Sequence, residues 1–202
     1  MSKNEPTKRQ QAAAQRKNVI LEAAVTCFIE NGYHQTGVRD IARKAGISLG
    51  NLYNYFAGKT AVLAEIARIE RAELEPFLAI LQKDAPAFDV LDAFVPAYTR
   101  HLSAPETVIL VLEITLEAIR EPAIADLFTE SRTALIDALT RVLENGVQQG
   151  SMRSIVSPSE SAQLILDIIE STAFRHGIED VPLPKLLDNQ NDFIRAALSV
   201  GD

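Results

Sequence analysis

The chain has 202 residues, of which 47% are apolar and 23% charged, ordinary proportions for a globular protein with room for one domain or two small ones. A single cysteine excludes an internal disulfide, no apolar run reaches the length of a membrane span, and the basic start MSKNEPTKRQQAAAQRKN lacks the apolar stretch of a secretory signal; a cytoplasmic location is the expectation. The net charge of −7 conceals a split, because residues 1–60 hold nine Lys and Arg against four Asp and Glu, a net of +5, which leaves −12 for the remainder. Such asymmetry is expected where a segment that binds a polyanion adjoins an acidic one.

Residues 1–13 read as a polar arm, with Lys8 and Arg9 its only candidates for a role, and order is expected from about residue 14. A helix follows over about 15–31, with Ile20, Ala23, Ala24, Cys27 and Phe28 as its buried stripe and Gly32 at its end. Cys27 lies in that stripe without a basic neighbour, so it reads as a small core residue rather than a nucleophile. The informative stretch is 36–60, TGVRDIARKAGISLGNLYNYFAGKT. Val38, Ile41, Ala42 and Ala45 fall at i, i+3, i+4 and i+7, one face of a short helix. Gly46 ends it where a positive φ is needed, and Ser48 is the N-cap of a second short helix in which Leu49, Leu52, Tyr53 and Phe56 repeat the spacing. Two short helices around a tight glycine turn form a helix-turn-helix, whose second helix can enter a DNA major groove. Its outward side would carry Gly50, Asn51, Asn54 and Tyr55. Asn pairs with adenine, Tyr hydroxyls reach phosphates, and glycine permits close backbone approach.

The motif and its flanks, Ala23 through Phe28, Gly32-Tyr33, Thr36, Val38, Asp40-Ile41-Ala42, Ala45-Gly46-Ile47-Ser48, Gly50, Leu52-Tyr53, Tyr55-Phe56 and Lys59, resemble the N-terminal domain of the tetracycline-repressor (TetR) family. The resemblance covers about residues 14–66. Two departures stand out: Gly37 replaces the usual Ser or Thr cap of the first motif helix, and Gly58-Lys59-Thr60 replaces Ser-Lys-Glu at the next helix start. A glycine N-cap costs only a few tenths of a kcal/mol against a hydroxyl, so the fold is expected to survive both. The resemblance implies a three-helix DNA-binding domain over 1–60 and a helical ligand-binding and dimerisation domain over 61–202, about nine helices in all. In that reading Arg16, Arg39, Tyr53, Tyr55 and Lys59 hold phosphates, Leu49, Gly50 and Asn51, with Asn54 beside them, face base edges, and Thr36 and Ser48 are further DNA-binding candidates.

After Lys59 the helical pattern continues to about residue 82, with Pro76 kinking or breaking it. Further helices are expected over about 88–102, 106–120, 123–149, 158–176 and 185–199, punctuated by Pro86, Pro105, Pro122, Gly150, the Ser157-Pro158-Ser159-Glu160 capping box and Pro182/Pro184. No alternating β-branched strand pattern and no repeat occurs, so the fold is expected to be all-α. The last two helices carry more apolar residues than one stripe needs. Leu164, Ile165, Ile168 and Ile169, then Phe193, Ile194 and Leu198, are therefore candidates for an interface with a second copy. Two copies also suit a short reading helix, which contacts few bases alone.

His34, His101 and His176 are far apart, no Cys/His spacing suits zinc, and no nucleophile-elbow, phosphate-loop or dinucleotide glycine pattern occurs. No metal, no cofactor and no catalytic residue is expected. Glu113 and Glu117 lie four apart in a very apolar helix and are candidates for an acidic pocket wall; Asp167 and Glu170 form a second pair. Phe94, Tyr98 and Phe174 are candidates to stack on a flat ligand. The expected partners are double-stranded operator DNA, a second copy of the chain and a small-molecule effector, with no membrane. The expected function is a dimeric, ligand-responsive regulator, most simply a repressor. A small all-α enzyme and a helical adaptor are the rivals.

Overall fold

A computed structural model describes residues 8–179 and 181–200. Those residues form ten helices and no strand: α1 (Lys8–Asn31), α2 (Val38–Lys44), α3 (Leu49–Tyr53), α4 (Lys59–Ala72), α5 (Glu75–Leu81), α6 (Ala87–Leu102), α7 (Pro105–Ala118), α8 (Pro122–Gln148), α9 (Pro158–Ile178) and α10 (Leu183–Leu198). Residues 1–7 of the predicted arm, and the side chains of Lys8 and Arg9, lie outside the described residues. α1 begins about two turns before the start expected near residue 15, because its first turns are built from Gln and Ala, good helix formers that leave no periodic signal. The tenth helix arises at Pro76. Its ring collides with the carbonyl of Ala72 and it has no N–H to donate there, so α4 stops at Ala72 and α5 starts afresh with Pro76 in its first turn.

Two apolar clusters organise the chain. The first joins Ile20, Ala24 and Phe28 of α1 to Ile41, Leu52 and Phe56 of the motif, to Val62, Leu63 and Ile66 of α4, and to Leu110, Ile114 and Ile124 from α7 and α8. It therefore runs past residue 60 as far as Ala67. The second is the core of the body, where Phe94, Leu139, Leu143, Leu166 and Ile169 are fully or almost fully enclosed between α6, α8 and α9. α8 packs on both α7 and α9, and α10 closes against α6 and α9. No helix among the described residues is long and apolar enough to cross a membrane.

Candidate functional site: the helix-turn-helix head and the cavity behind it

The head is fixed by short-range chemistry. Gly32 ends α1 with φ of 77°, and Gly46 takes φ of 65° between the two motif helices, conformations that glycine adopts without a Cβ penalty. At α2 the N-cap glycine offers no side chain, but its N–H donates to Asp40 Oδ2 at 2.9 Å, which preserves half of a capping box. Ala45 N–H then donates to Ile41 O at 2.9 Å and Ile47 N–H to Ala42 O at 3.0 Å, turning the chain into α3. Ser48 Oγ accepts from Asn51 N–H at 3.2 Å and caps α3 as its sequence position predicts. Leu52 is fully buried and Phe56 nearly so, which anchors the inner side of α3.

The opposite side is open. Arg16, Arg39, Ser48, Gly50, Tyr53 and Asn54 are exposed, while Leu49, Asn51 and Tyr55 are half-buried. Three other basic residues of the head are neutralised: Lys17 Nζ lies 2.5 Å from Glu65 Oε1, Lys44 pairs with Glu30 at 2.9 Å, and Arg43 pairs with Asp40. Arg16 and Arg39 have no ion-pair partner among the described residues. Two of the predicted DNA-binding residues are engaged inside the chain. Thr36 is buried, and its hydroxyl faces the carbonyls of Cys27 (3.0 Å) and Gly32 (2.8 Å), so it closes the α1 end instead of facing outward. Lys59 Nζ donates to Tyr33 O at 2.6 Å and sits 4.1 Å from the centre of the Tyr33 ring. Burial lowers its pKa against the pull of Glu117 and Glu113; it serves as a pin under the α1–α2 loop.

Glu113 and Glu117 do not line a pocket. Tyr33 N–H donates to Glu113 Oε2 at 3.1 Å. Buried Glu117 holds Oε1 2.9 Å from His34 Nε2 and 2.8 Å from Arg120 Nη1. An i,i+4 pair on an apolar helix was thus a correct sign of burial, but its counter-groups are the head's own loop. His34, which completes this joint, carried no signal in the sequence, since Glu117 and Arg120 lie more than eighty residues away; Arg120 stands three residues after Glu117, a local pair that was legible in the sequence but not among the expected site residues.

The apolar cavity lies between α4, α6, α7 and α8. Its space, counting the open mouth, is about 730 Å³, walled by Ala67, Leu74, Leu102, Val111, Ile114 and Leu135 with Tyr98, Phe128, Glu70, His101, Arg132 and Glu170 as its aromatic and polar groups. Of the predicted ligand contacts only Tyr98 borders it. Phe94 is completely buried behind Tyr98 with ring centroids 5.5 Å apart, and Phe174 is half-buried elsewhere. Asp167 and Glu170 both hold Arg132; burial raises the Glu170 pKa against the pull of Arg132. Burial also pushes the Tyr98 phenol up, so it stays a neutral donor. Glu70 has no hydrogen-bond or ion-pair partner among the described residues, and burial together with the charge of Glu73 pushes it up to about 7.

At the far end, Leu164 and Phe193 are 61% and 63% exposed and Ile168 is partly so. Ile165, Ile169, Ile194 and Leu198 are each 5% exposed or less and belong to this chain's own core. Their assignment to an interface is corrected: on α9 and α10 the residues next to the exposed ones turn inward.

Residues 20–66 match the family model described as bacterial regulatory proteins, tetR family. The fatty acid metabolism regulator protein of Bacillus subtilis (strain 168) is 25% identical over 154 residues, 76% of this chain and 79% of the relative. The HTH-type transcriptional repressor KstR2 of Rhodococcus jostii (strain RHA1) is 28% identical over 153 residues, 75% of each chain. A solved structure of the regulator FadR from Bacillus subtilis in complex with stearoyl-CoA shares the fold, with a TM-score of 0.73 at 23% identity over 88% of this chain and 96% of that one.

Proposed function

The chain belongs to the tetR family of bacterial regulatory proteins, and from that premise we propose that it is a dimeric transcriptional repressor released from operator DNA by a small-molecule effector. The observation that carries the ligand response is the double duty of α4. Its first half, Val62, Leu63 and Ile66, is core of the head, and its second half, Ala67, Glu70 and Arg71, is wall of the cavity. A molecule that fills the cavity has to act on the same rigid rod that sets the position of α3. The effector then lowers DNA affinity only by as much as it prefers the arrangement in which the heads do not fit the duplex. The complex of the Bacillus subtilis regulator with stearoyl-CoA supports a small-molecule effector for this fold.

In this reading Arg16 and Arg39, with Tyr53 and Tyr55, hold phosphates, and Asn51, Gly50, Leu49 and Asn54 meet base edges. The exposed Leu164, Ile168 and Phe193 join two copies, so that two heads span an inverted repeat. Fluorescence anisotropy with fragments from upstream of the gene tests this. Wild-type protein should select one fragment bearing an inverted repeat, with affinity falling steeply as salt rises. Asn51→Ala should relax the preference at one base pair in each half-site by about 1–3 kcal/mol. Equal affinity for every fragment at moderate salt, or an unchanged site profile in Asn51→Ala, contradicts the assignment.

A further inference from the structure

Three side chains able to bind a metal meet where α4 ends against α6. Glu70 and Glu73 lie three residues apart in the last turn and cap of α4, and His101 is in the last turn of α6. One ligand atom from each lies within 4.8 Å of the others. None of the three has a hydrogen bond or ion pair among the described residues, whereas nearby Glu65 is engaged with Lys17 and Arg68, Glu130 with Arg71 and Glu170 with Arg132. Two like charges at the negative end of a helix, one of them half-buried, are unfavourable as they stand. The ring of His101 packs on Phe77 and Tyr98, with centroids 5.0 and 6.2 Å away, which holds it in place while its nitrogens have no bond to the described residues.

We propose that Glu70, Glu73 and His101 form a binding site for one divalent transition-metal ion of the zinc class. An imidazole and two carboxylates match the donors that Zn²⁺, Ni²⁺ and Co²⁺ accept, whereas Mg²⁺ and Ca²⁺ take all-oxygen sets of higher number. Bonds of about 2.0–2.2 Å require the donors to draw closer by roughly an ångström, and Glu73, being exposed, has the freedom to swing inward. Three protein ligands leave a coordination position open, and because Glu70 and His101 also line the cavity, the ion would sit at its edge. It would tie the last turn of α4 to α6. No local spacing signals this site, because His101 is alone and its partners lie about thirty residues earlier.

Binding itself is independent of the regulator reading, so the test uses the full chain without DNA. Chelator-stripped protein is titrated with ZnCl₂ by calorimetry and with CoCl₂ by visible absorption. The expected result is one ion per chain at micromolar concentration or below, weakened at least about tenfold in both Glu73→Gln and His101→Gln, with Mg²⁺ far weaker. Glu73→Gln should unfold at the same temperature as the metal-free wild type, which separates lost ligation from misfolding. No uptake at micromolar metal, undiminished affinity in the two variants, or Mg²⁺ binding as well as Zn²⁺ would overturn the site. DNA affinity measured with and without the ion then reports separately on whether the site is coupled to the head.

Discussion

Lys59 and Arg39 are both basic residues of the head, and their surroundings give them different work. The Lys59 ammonium is spent on Tyr33 O and on the Tyr33 ring, so Lys59→Met should lower the stability of the head by roughly 1–2 kcal/mol in urea unfolding and change the salt dependence of DNA binding little. Arg39 is exposed and without an ion pair among the described residues, so Arg39→Ala should leave stability unchanged and flatten the slope of log affinity against log salt by about one for each head. If Lys59→Met changes the slope as Arg39→Ala does, the ammonium leaves Tyr33 for phosphate in the complex and the pin reading is wrong. Net charge alone ranks the two alike; the partner of each decides. The same holds for Lys17, whose bond lowers the pKa of Glu65, chiefly through hydrogen bonding and against burial. A carboxylate held low in the folded state contributes above its unfolded pKa of about 4.5 and loses that contribution as pH falls through the folded value. Because the pair is partly exposed, Glu65→Gln should cost less than about 1 kcal/mol at pH 7. The gap from wild type should close in acid; a gap of constant size from pH 7 to pH 3 would assign the effect to packing instead.

Among the elements, α4 and the loop after α1 govern communication. Gly32 meets two demands, a φ of 77° and a carboxylate, since a Cβ there would lie 3.3 Å from Glu113 Oε1. Gly32→Ala is therefore expected to cost about 1–2 kcal/mol for the left-handed backbone. It should also loosen the Tyr33–Glu113 hydrogen bond, which raises amide exchange at the α1–α2 loop well before the α6–α8–α9 core responds. Unchanged exchange at that loop would mean the joint is not held there. The helices themselves were legible in the sequence where signals are local. The Ser157-Pro158 start of α9, the Ser48 cap of α3 and the Gly46 turn each need only neighbours within about four residues. The joint and the cavity were not. Glu113 meets Tyr33 across eighty positions, and Glu70 meets His101 across thirty-one, so only the packing of α4, α6 and α7 brings them together. The apolar stripes on α9 and α10 hid a further distinction, because a stripe wider than one face says that two sides are covered without saying by which chain.

That distinction decides how the whole molecule is built, and two substitutions one turn apart on α9 separate the cases. Leu164 is 61% exposed in a single chain, while Ile169 is fully buried on the inward face of the same helix. A charge at Leu164 costs an isolated subunit little, since the side chain already faces water, but in a two-fold interface each copy would bury an unpaired carboxylate. Leu164→Glu should therefore convert the sedimenting species from dimer to monomer at micromolar concentration with subunit unfolding nearly unchanged. Affinity for the inverted repeat should drop with it, because each head then pays its own loss of freedom on binding. Ile169→Ala should do the reverse, lowering stability by about 2–5 kcal/mol through the cavity it leaves while the surviving folded protein still sediments as a dimer. A Leu164→Glu protein that remains dimeric and binds the repeat normally would place the second copy on another face. The exposed row Ile109, Leu112 and Leu116 of α7 would then be the next surface to charge.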